Sequence, residues 1–94
     1  MQAVEVISKD NCPYCVKAKQ LLEKLNIEYI EKKIGKDITR EELLERVPNA
    51  RSVPQIFIGT QNIGGYQELA TYIENTGFNG TGFSNSWVFQ INIL

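Results

Sequence analysis

Residues 3–25 read AVEVISKDNCPYCVKAKQLLEKL, and they decide the fold because a strand pattern passes directly into a helical one. The first six of them favour a β-strand, with partial alternation of apolar and polar side chains. From Pro13 to about Leu25, apolar residues recur at helical spacing, and charged residues take the other face: Lys17, Lys19, Glu23 and Lys24. The only two cysteines of the chain, Cys12 and Cys15, lie where the strand pattern gives way to the helix.

The spacing of these cysteines indicates a thiol–disulfide redox site. If Cys12 caps the helix and Cys15 follows one turn later, the two sulfurs lie within disulfide reach. The unpaired N–H groups of the first turn then stabilise the Cys12 thiolate. Pro13 suits the first helical position, where its missing N–H costs nothing. Lys9, three residues before Cys12, is placed to favour the thiolate and to attract a carboxylate.

Two other interpretations of the cysteine pair are a structural metal site and an inert close pair. Zinc prefers four Cys or His ligands, and the chain offers two cysteines and no histidine. The absence of histidine also removes the usual general base for a cysteine nucleophile. Helix position and nearby cations must therefore activate the thiol.

Length and composition predict one small globular domain. The chain has 94 residues and a formal net charge of -1, which argues against nucleic acid or an anionic membrane as the main partner. The N-terminus lacks the pattern of a secretory signal, and no apolar run is long enough to span a bilayer. We therefore expect a cytoplasmic protein, in which a cysteine pair is more often catalytic than structural.

The rest of the chain predicts the order strand, helix, strand, strand, helix. A βαβ unit of this length implies parallel strands with a right-handed crossover. The second helix is marked by a capping box from Thr39 to Glu42, with Ile38 and Leu43 placed as a hydrophobic staple. The predicted bounds are 28–34 for the second strand, 39–47 for the second helix, 55–58 and 62–64 for the hairpin strands, and 66–75 for the last helix.

Three motifs in this order resemble the dithiol class of glutaredoxins. They are Lys9-x-x-Cys12-Pro13-Tyr14-Cys15, Ser52-Val53-Pro54, and Gly64-Gly65 before the last helix. The resemblance implies an α/β protein with the thioredoxin fold (βαβ-α-ββα), in which three helices flank a mixed four-stranded sheet. It also implies a glutaredoxin domain over 1–76. The uncharged stretch 77–94 is then an extension of unassigned role, and alternation within 86–94 predicts one further strand there.

By this resemblance the protein is a glutathione-dependent disulfide oxidoreductase. Cys12 acts as the nucleophile and Cys15 as the resolving thiol, on protein disulfides and glutathione mixed disulfides. Glutathione is a co-substrate, and no cofactor is bound permanently. Family analogy adds ribonucleotide reductase as an electron acceptor, and we expect a monomer.

The resemblance also places glutathione on named residues. Tyr14 lines the groove, and Val53, next to a cis Pro54, pairs its backbone with the cysteine of glutathione. A cis bond is otherwise found in only a small minority of X–Pro pairs. Gly64-Gly65 allows the backbone to approach the ligand closely. The N-terminus of the following helix can hold the γ-glutamyl carboxylate of glutathione, and the residues predicted to bind it are Gly65, Tyr66 and Gln67.

Related proteins place a basic or amide side chain at the start of the second helix, so the resemblance makes Arg40 the candidate that binds the glycyl carboxylate of glutathione. The alternative is that Arg40 is an ordinary surface arginine at the first helical position. Arg51 and Lys36 are alternatives. The chain departs from many relatives, which carry Gly-Gly-x-Asp before the last helix. Gln67 stands in place of that Asp and brings no charge, and Glu68 comes one position late.

Two other functions compete with disulfide reduction. One is a dimer that holds an iron–sulfur cluster with two Cys12 thiolates and two glutathiones, although Pro13-Tyr14 favours it less than Cys-Gly-Phe-Ser does. The other is a redox-inert interaction module, which predicts no turnover.

Overall fold

A computed structural model describes residues 3–78, which form a four-stranded sheet with three helices. The elements in chain order are β1 Val4–Ser8, α1 Pro13–Lys24, β2 Ile30–Lys33, α2 Arg40–Arg46, β3 Gln55–Ile58, β4 Gln61–Gly64 and α3 Tyr66–Thr76. The strand order is β2-β1-β3-β4, with β1 parallel to β2 and antiparallel to β3, and with β3 antiparallel to β4. The predicted βαβ-α-ββα order and mixed sheet are confirmed.

Side chains alternate along β1 and β3, so each face of the sheet carries its own core. The face covered by α1 and α3 buries the larger set: Val4, Val6, Ala18, Leu22, Ile27, Ile56, Ile58, Leu69 and Phe78. The opposite face, covered by α2, buries Ile7, Ile38, Leu43 and Phe57. Phe78, which is only 2% exposed, belongs to the first of these cores although it lies after the last helix.

The start of α2 confirms the predicted capping box. Thr39 Oγ1 accepts a hydrogen bond from the Glu42 N–H at 3.0 Å, and Glu42 Oε1 accepts one from the Thr39 N–H at 2.8 Å. Ile38 and Leu43, the predicted staple pair, lie in the same core. Arg40 therefore occupies the first position of a firmly anchored helix.

Two strands differ from their predicted bounds. β2 is shorter than 28–34 because its pairing with β1 runs only from Glu5 opposite Ile30 to Ser8 opposite Lys33. The chain then turns, and the Asp37 carboxylate accepts the Lys33 N–H at 3.0 Å. β4 begins one residue earlier than predicted, since Gln61 already pairs with Ile58 across a tight turn.

Two of the three helices, α1 and α3, are followed by a residue in the left-handed conformation. Asn26, just after α1, has φ 59°, and Gly77, just after α3, has φ 70°.

Within residues 3–78 no helix has the length and apolar character needed to cross a membrane. The predicted strand over 86–94 lies outside the described residues.

Candidate active site

The cysteine pair sits at the N-terminus of α1. Cys12 is the N-cap, with extended backbone, and its Sγ accepts a hydrogen bond from the Cys15 N–H at 3.2 Å. The two cysteines are joined by a disulfide, so the structure represents the oxidised state. Cys12 is 8% exposed and Cys15 only 1%, which makes Cys12 the more accessible sulfur. The predicted N-cap position of Cys12 is confirmed.

The loop before β3 faces the disulfide. The Val53–Pro54 peptide bond is cis, as the resemblance implies. The Val53 carbonyl oxygen lies 3.6 Å from Cys12 Sγ. A disulfide sulfur carries no proton, so this is a contact in the oxidised state. In the dithiol state the same carbonyl is placed to accept a hydrogen bond from the thiol.

Gln55 holds this loop in place, although nothing in the sequence pattern marks it as a site residue. Its amide nitrogen donates to the Ser52 carbonyl at 3.0 Å, and its amide oxygen accepts from Asn62 Nδ2 at 3.2 Å. The side chain is almost completely buried. A buried amide bonded on both sides fixes its neighbours, so Gln55 positions Val53 beside Cys12.

Most of the predicted glutathione-binding residues line one cleft next to Cys12, which we call the aromatic cleft. Its lining consists of Tyr14, Ser52, Val53, Pro54, Gly65, Tyr66, Gln67 and Glu68. The rings of Tyr14 and Tyr66 stack with centroids 6.2 Å apart, and Lys17 Nζ lies 5.3 Å and 5.9 Å from the two centroids. Its volume of about 340 Å³ falls in the range of small-ligand sites.

A second cleft adjoins the first at Ser52 and Val53, and we call it the cationic cleft. Three cations line it, Lys9, Arg40 and Arg51, and within residues 3–78 none of the three is in an ion pair. Its apolar lining comes from Ile34, Leu43, Leu44, Ala50 and Val53. The structure thus brings Arg40 and Lys9 together with Arg51. Lys36, the other candidate for the glycyl carboxylate, does not line this cleft.

Glu68 has a structural role at the start of α3. The sequence contains the spacing that predicts this role, but the comparison with the Asp that many relatives carry one position earlier draws attention away from it. Glu68 Oε1 accepts a hydrogen bond from the Gly65 N–H at 2.9 Å and so caps α3. The spacing from Gly65 to Glu68 is that of a capping box, which is the signal for this contact. A Cβ on Gly64, at φ 115°, would lie 2.9 Å from Glu68 Cγ. The glycine at this position therefore makes room for Glu68 as well as allowing the backbone conformation.

A third cleft lies on the other side of the disulfide, between α1 and β2, and we call it the α1–β2 cleft. Its lining is Lys9, Asp10, Asn11, Cys12, Pro13, Cys15, Val16, Lys19 and Lys33. Behind it, Glu31 Oε2 accepts hydrogen bonds from Ser8 Oγ at 2.6 Å and from Lys19 Nζ at 2.9 Å. The Ser8 hydroxyl, and after it the Lys19 ammonium, lower the pKa of Glu31.

Lys19 is a correction to the sequence pattern, which assigns it to the solvent face of α1. It is partly buried and paired with Glu31. The signal was present, because Lys19 follows Cys15 by four residues and so shares its helix face.

Comparison with known proteins agrees with this geometry. The family model for glutaredoxins matches residues 4–63. The chain belongs to the glutaredoxin family. Glutaredoxin 1 of Escherichia coli is 38% identical over 82 residues, which cover 79% of this chain and 94% of that protein. A glutaredoxin of Synechocystis sp. is 42% identical over 67 residues, which cover 70% of this chain and 62% of that protein.

Among solved structures, the crystal structure of a buckwheat glutaredoxin–glutathione complex is similar, with a TM-score of 0.69 and 27% identity. The similarity covers 79% of this chain and 70% of the buckwheat chain. Membership of the family, together with the Cys12–Cys15 pair on the first helix, makes the protein a thiol–disulfide oxidoreductase.

Proposed function

We propose that the protein is a glutathione-dependent oxidoreductase that reduces protein disulfides and glutathione mixed disulfides. The observation that carries the proposal is the junction of the aromatic and cationic clefts at Val53, whose carbonyl lies beside Cys12. Glutathione has a thiol between two charged ends. A groove with the reactive sulfur at its centre and donors at both ends suits that chemistry.

The two ends offer different donors. At the cationic cleft, Arg40, Arg51 and Lys9 are available to the glycyl carboxylate. At the aromatic cleft, the first-turn N–H groups of α3 have no partner inside the helix and favour an anion such as the γ-glutamyl carboxylate. Val53 supplies backbone groups between them, in the manner of a strand added to an edge.

The proposed reaction is exchange through Cys12. Its thiolate attacks one sulfur of a substrate disulfide, and the substrate's other sulfur leaves as a thiolate. With a glutathionylated substrate, the mixed disulfide of Cys12 is attacked by a second glutathione, which releases glutathione disulfide. With a protein disulfide, Cys15 attacks instead and forms the Cys12–Cys15 disulfide, which two glutathiones then reduce.

Glutathione and glutathionylated or disulfide-containing proteins are the proposed partners. Ribonucleotide reductase as acceptor, the monomeric state and the cytoplasmic location stay predictions. The iron–sulfur dimer also stays a prediction, and the absorbance spectrum of the anaerobically purified protein tests it. A redox-inert module predicts no turnover in any exchange assay.

The experiment that tests the proposal compares electron sources. Insulin or a glutathionylated peptide is offered with glutathione and glutathione reductase, and in parallel with thioredoxin reductase. We expect turnover with glutathione and little with thioredoxin reductase. The reverse preference would remove glutathione from the function while leaving disulfide exchange intact.

A further inference from the structure

Three side chains beside the disulfide form a bonded network that the exchange steps above do not use. Ser8 Oγ and Lys19 Nζ both donate to Glu31 Oε2, at 2.6 Å and 2.9 Å. Ser8 is completely buried, and the side chains of Lys19 and Glu31 are 25% and 28% exposed. A buried hydroxyl is stable only when it is hydrogen-bonded. Ser8 therefore fixes the carboxylate of Glu31, and the carboxylate fixes the ammonium of Lys19.

The two ends of the Lys19–Glu31 ion pair are placed differently with respect to Cys15. Lys19 lies one turn after Cys15 on the same face of α1, where side chains four residues apart are neighbours. Lys19 lines the α1–β2 cleft together with both cysteines, whereas Glu31 is held behind it on the Ser8 hydroxyl. The ammonium, rather than the carboxylate, is therefore the end of the ion pair that faces the cleft.

Other charges around the cleft are more exposed. Asp10 and Lys33 pair at 3.1 Å, but the Asp10 side chain is 79% exposed, so solvent screens that pair. The hydrogen bond with Asp10 raises the pKa of Lys33 and keeps it charged. Lys9 is exposed and lies where the α1–β2 and cationic clefts meet. Among the charges that line this cleft, Lys19 is the one held in place by a hydrogen bond to Glu31 and partly shielded from solvent.

We propose that Lys19 is a positioning residue for the resolving step, in which its ammonium, held by Glu31 and Ser8, stabilises the thiolate of Cys15. Cys15 gives up its thiol proton to water, and its sulfur attacks the Cys12 sulfur of a mixed disulfide. The bond from Cys12 to the substrate breaks, and the substrate leaves as a thiolate that takes up a proton. The two electrons of the dithiol pass to the substrate, so no further reductant takes part.

The chain has no histidine, so a fixed cation supplies activation that a neighbouring base would otherwise give. The proposal rests on thiol–disulfide exchange alone and not on glutathione as the reductant. Its failure is therefore distinguishable from a failure of the proposed function.

The experiment titrates Cys15 by itself. In a full-length Cys12→Ser background, thiolate absorbance is followed against pH. Lys19→Gln should raise the pKa of Cys15 by about half a unit to one unit, because it removes a positive charge beside the thiolate. Glu31→Gln should lower it, because it removes the opposing negative charge. Lys24→Gln, at the exposed end of the same helix, should leave the pKa of Cys15 unchanged.

Opposite signs are the signature of an electrostatic role, since a merely structural role would shift both variants in the same direction. An unchanged pKa in Lys19→Gln, or shifts of the same sign in Lys19→Gln and Glu31→Gln, would overturn the proposal. If Glu31→Gln fails to fold by circular dichroism, Lys19→Arg decides. It keeps the charge, and a pKa of Cys15 near that of the parent supports the proposal, whereas a value equal to that of Lys19→Gln contradicts it.

A kinetic arm follows the release of a chromogenic thiol from a Cys12 mixed disulfide, with both cysteines present. Lys19→Gln should slow this release roughly two- to threefold at neutral pH. The smaller thiolate fraction of Cys15 is partly offset by the higher nucleophilicity of a more basic thiolate. The slowing should disappear as the pH rises, and it should reverse where Cys15 is fully ionised in both proteins, because the more basic thiolate is then the better nucleophile. A loss that stays constant with pH would assign Lys19 a structural role and contradict the proposal.

Discussion

The two sides of the Cys12–Cys15 disulfide differ in how their charges are partnered. On the Cys12 side, Arg40 and Arg51 line a cleft and form no ion pair within residues 3–78. On the Cys15 side, Glu31 is bonded to Lys19 and Ser8. Unpaired donors are suited to bind a ligand that supplies the missing charge. Paired charges are suited to maintain a constant field. The proposed recognition of the ligand and the proposed resolving step therefore lie on opposite sides of one disulfide.

The largest expected effect comes from removing either sulfur. Cys12→Ser should abolish exchange with every substrate, because both sides of the site act through this sulfur. Cys15→Ser should still deglutathionylate small substrates, since glutathione itself can attack the mixed disulfide of Cys12. It should fail with protein disulfides, which need an internal thiol for release.

Both variants are assayed on a glutathionylated peptide and on a protein disulfide, which gives four results. Strong activity in Cys12→Ser, or loss of all activity in a folded Cys15→Ser, would show that the two sides are not separated as described.

The second effect concerns the pKa of Cys12. The N-cap position of Cys12 and its hydrogen bond from the Cys15 N–H both favour the anion. We expect a pKa well below the free value of about 8.5, measured as the pH dependence of alkylation of the reduced protein by iodoacetamide. Lys19→Gln should leave this value nearly unchanged. Alkylation that rises only above about pH 8 would refute activation by the helix terminus.

These features differ in how far the sequence could reveal them. The N-cap at Cys12 and the capping box at Thr39 are local patterns, read from residues three apart, and the structure confirms both. The Cys12-side clefts needed the resemblance as well, because Val53, Tyr66 and Arg40 come from separate elements. Their predicted contacts with glutathione stay predictions.

The Cys15-side network depends on register, which no local pattern contains. Glu31 reaches Ser8 and Lys19 only because Val6 pairs with Glu31 across parallel strands and α1 packs on the same face of the sheet. Lys19 was assigned to solvent because it is charged, although its spacing from Cys15 places it on the same helix face as that cysteine. The bounds of β2 were wrong for the same reason, since its partner β1 sets its length.

A third effect tests a region remote from both sides. On the α2 face, Arg46 donates two hydrogen bonds of 2.8 Å to the Glu5 carboxylate, and its guanidinium lies 4.0 Å from the Phe57 ring centroid. Arg46→Ala should lower the free energy of unfolding by about 1 to 2 kcal/mol, from the lost charge-assisted bonds and packing. The pKa of Cys15 should not change. If the pKa of Cys15 shifts in Arg46→Ala, a shift in Lys19→Gln is not specific to a charge beside Cys15.

The same pair gives a pH dependence. The hydrogen bonds from Arg46, and then Lys32, hold the pKa of Glu5 below its ordinary value of 4.5. A lowered pKa means that the unfolded chain binds the proton more readily, so this stabilisation is present above about pH 4.5 and is lost as the pH falls below it. Urea unfolding of the oxidised protein should therefore show a smaller difference between the parent and Arg46→Ala at pH 3 than at pH 7. An equal difference at both pH values would assign the effect to packing on Phe57.

The smallest effect concerns one cation of the Cys12 side. Arg40 lines the cationic cleft from the first turn of α2, where the Thr39 capping box fixes the backbone and leaves the side chain exposed. Arg40→Ala should raise KM for a glutathionylated peptide about fivefold, since one exposed charge-assisted contact is worth roughly 1 kcal/mol. Lys36→Ala is the matched control, because it removes the same charge outside the cleft and should leave KM unchanged. The pKa of Cys12 should stay the same in both variants. If Arg40→Ala and Lys36→Ala have equal KM values, the ligand side does not use Arg40, and Arg51→Ala becomes the variant that decides whether this cleft holds the carboxylate.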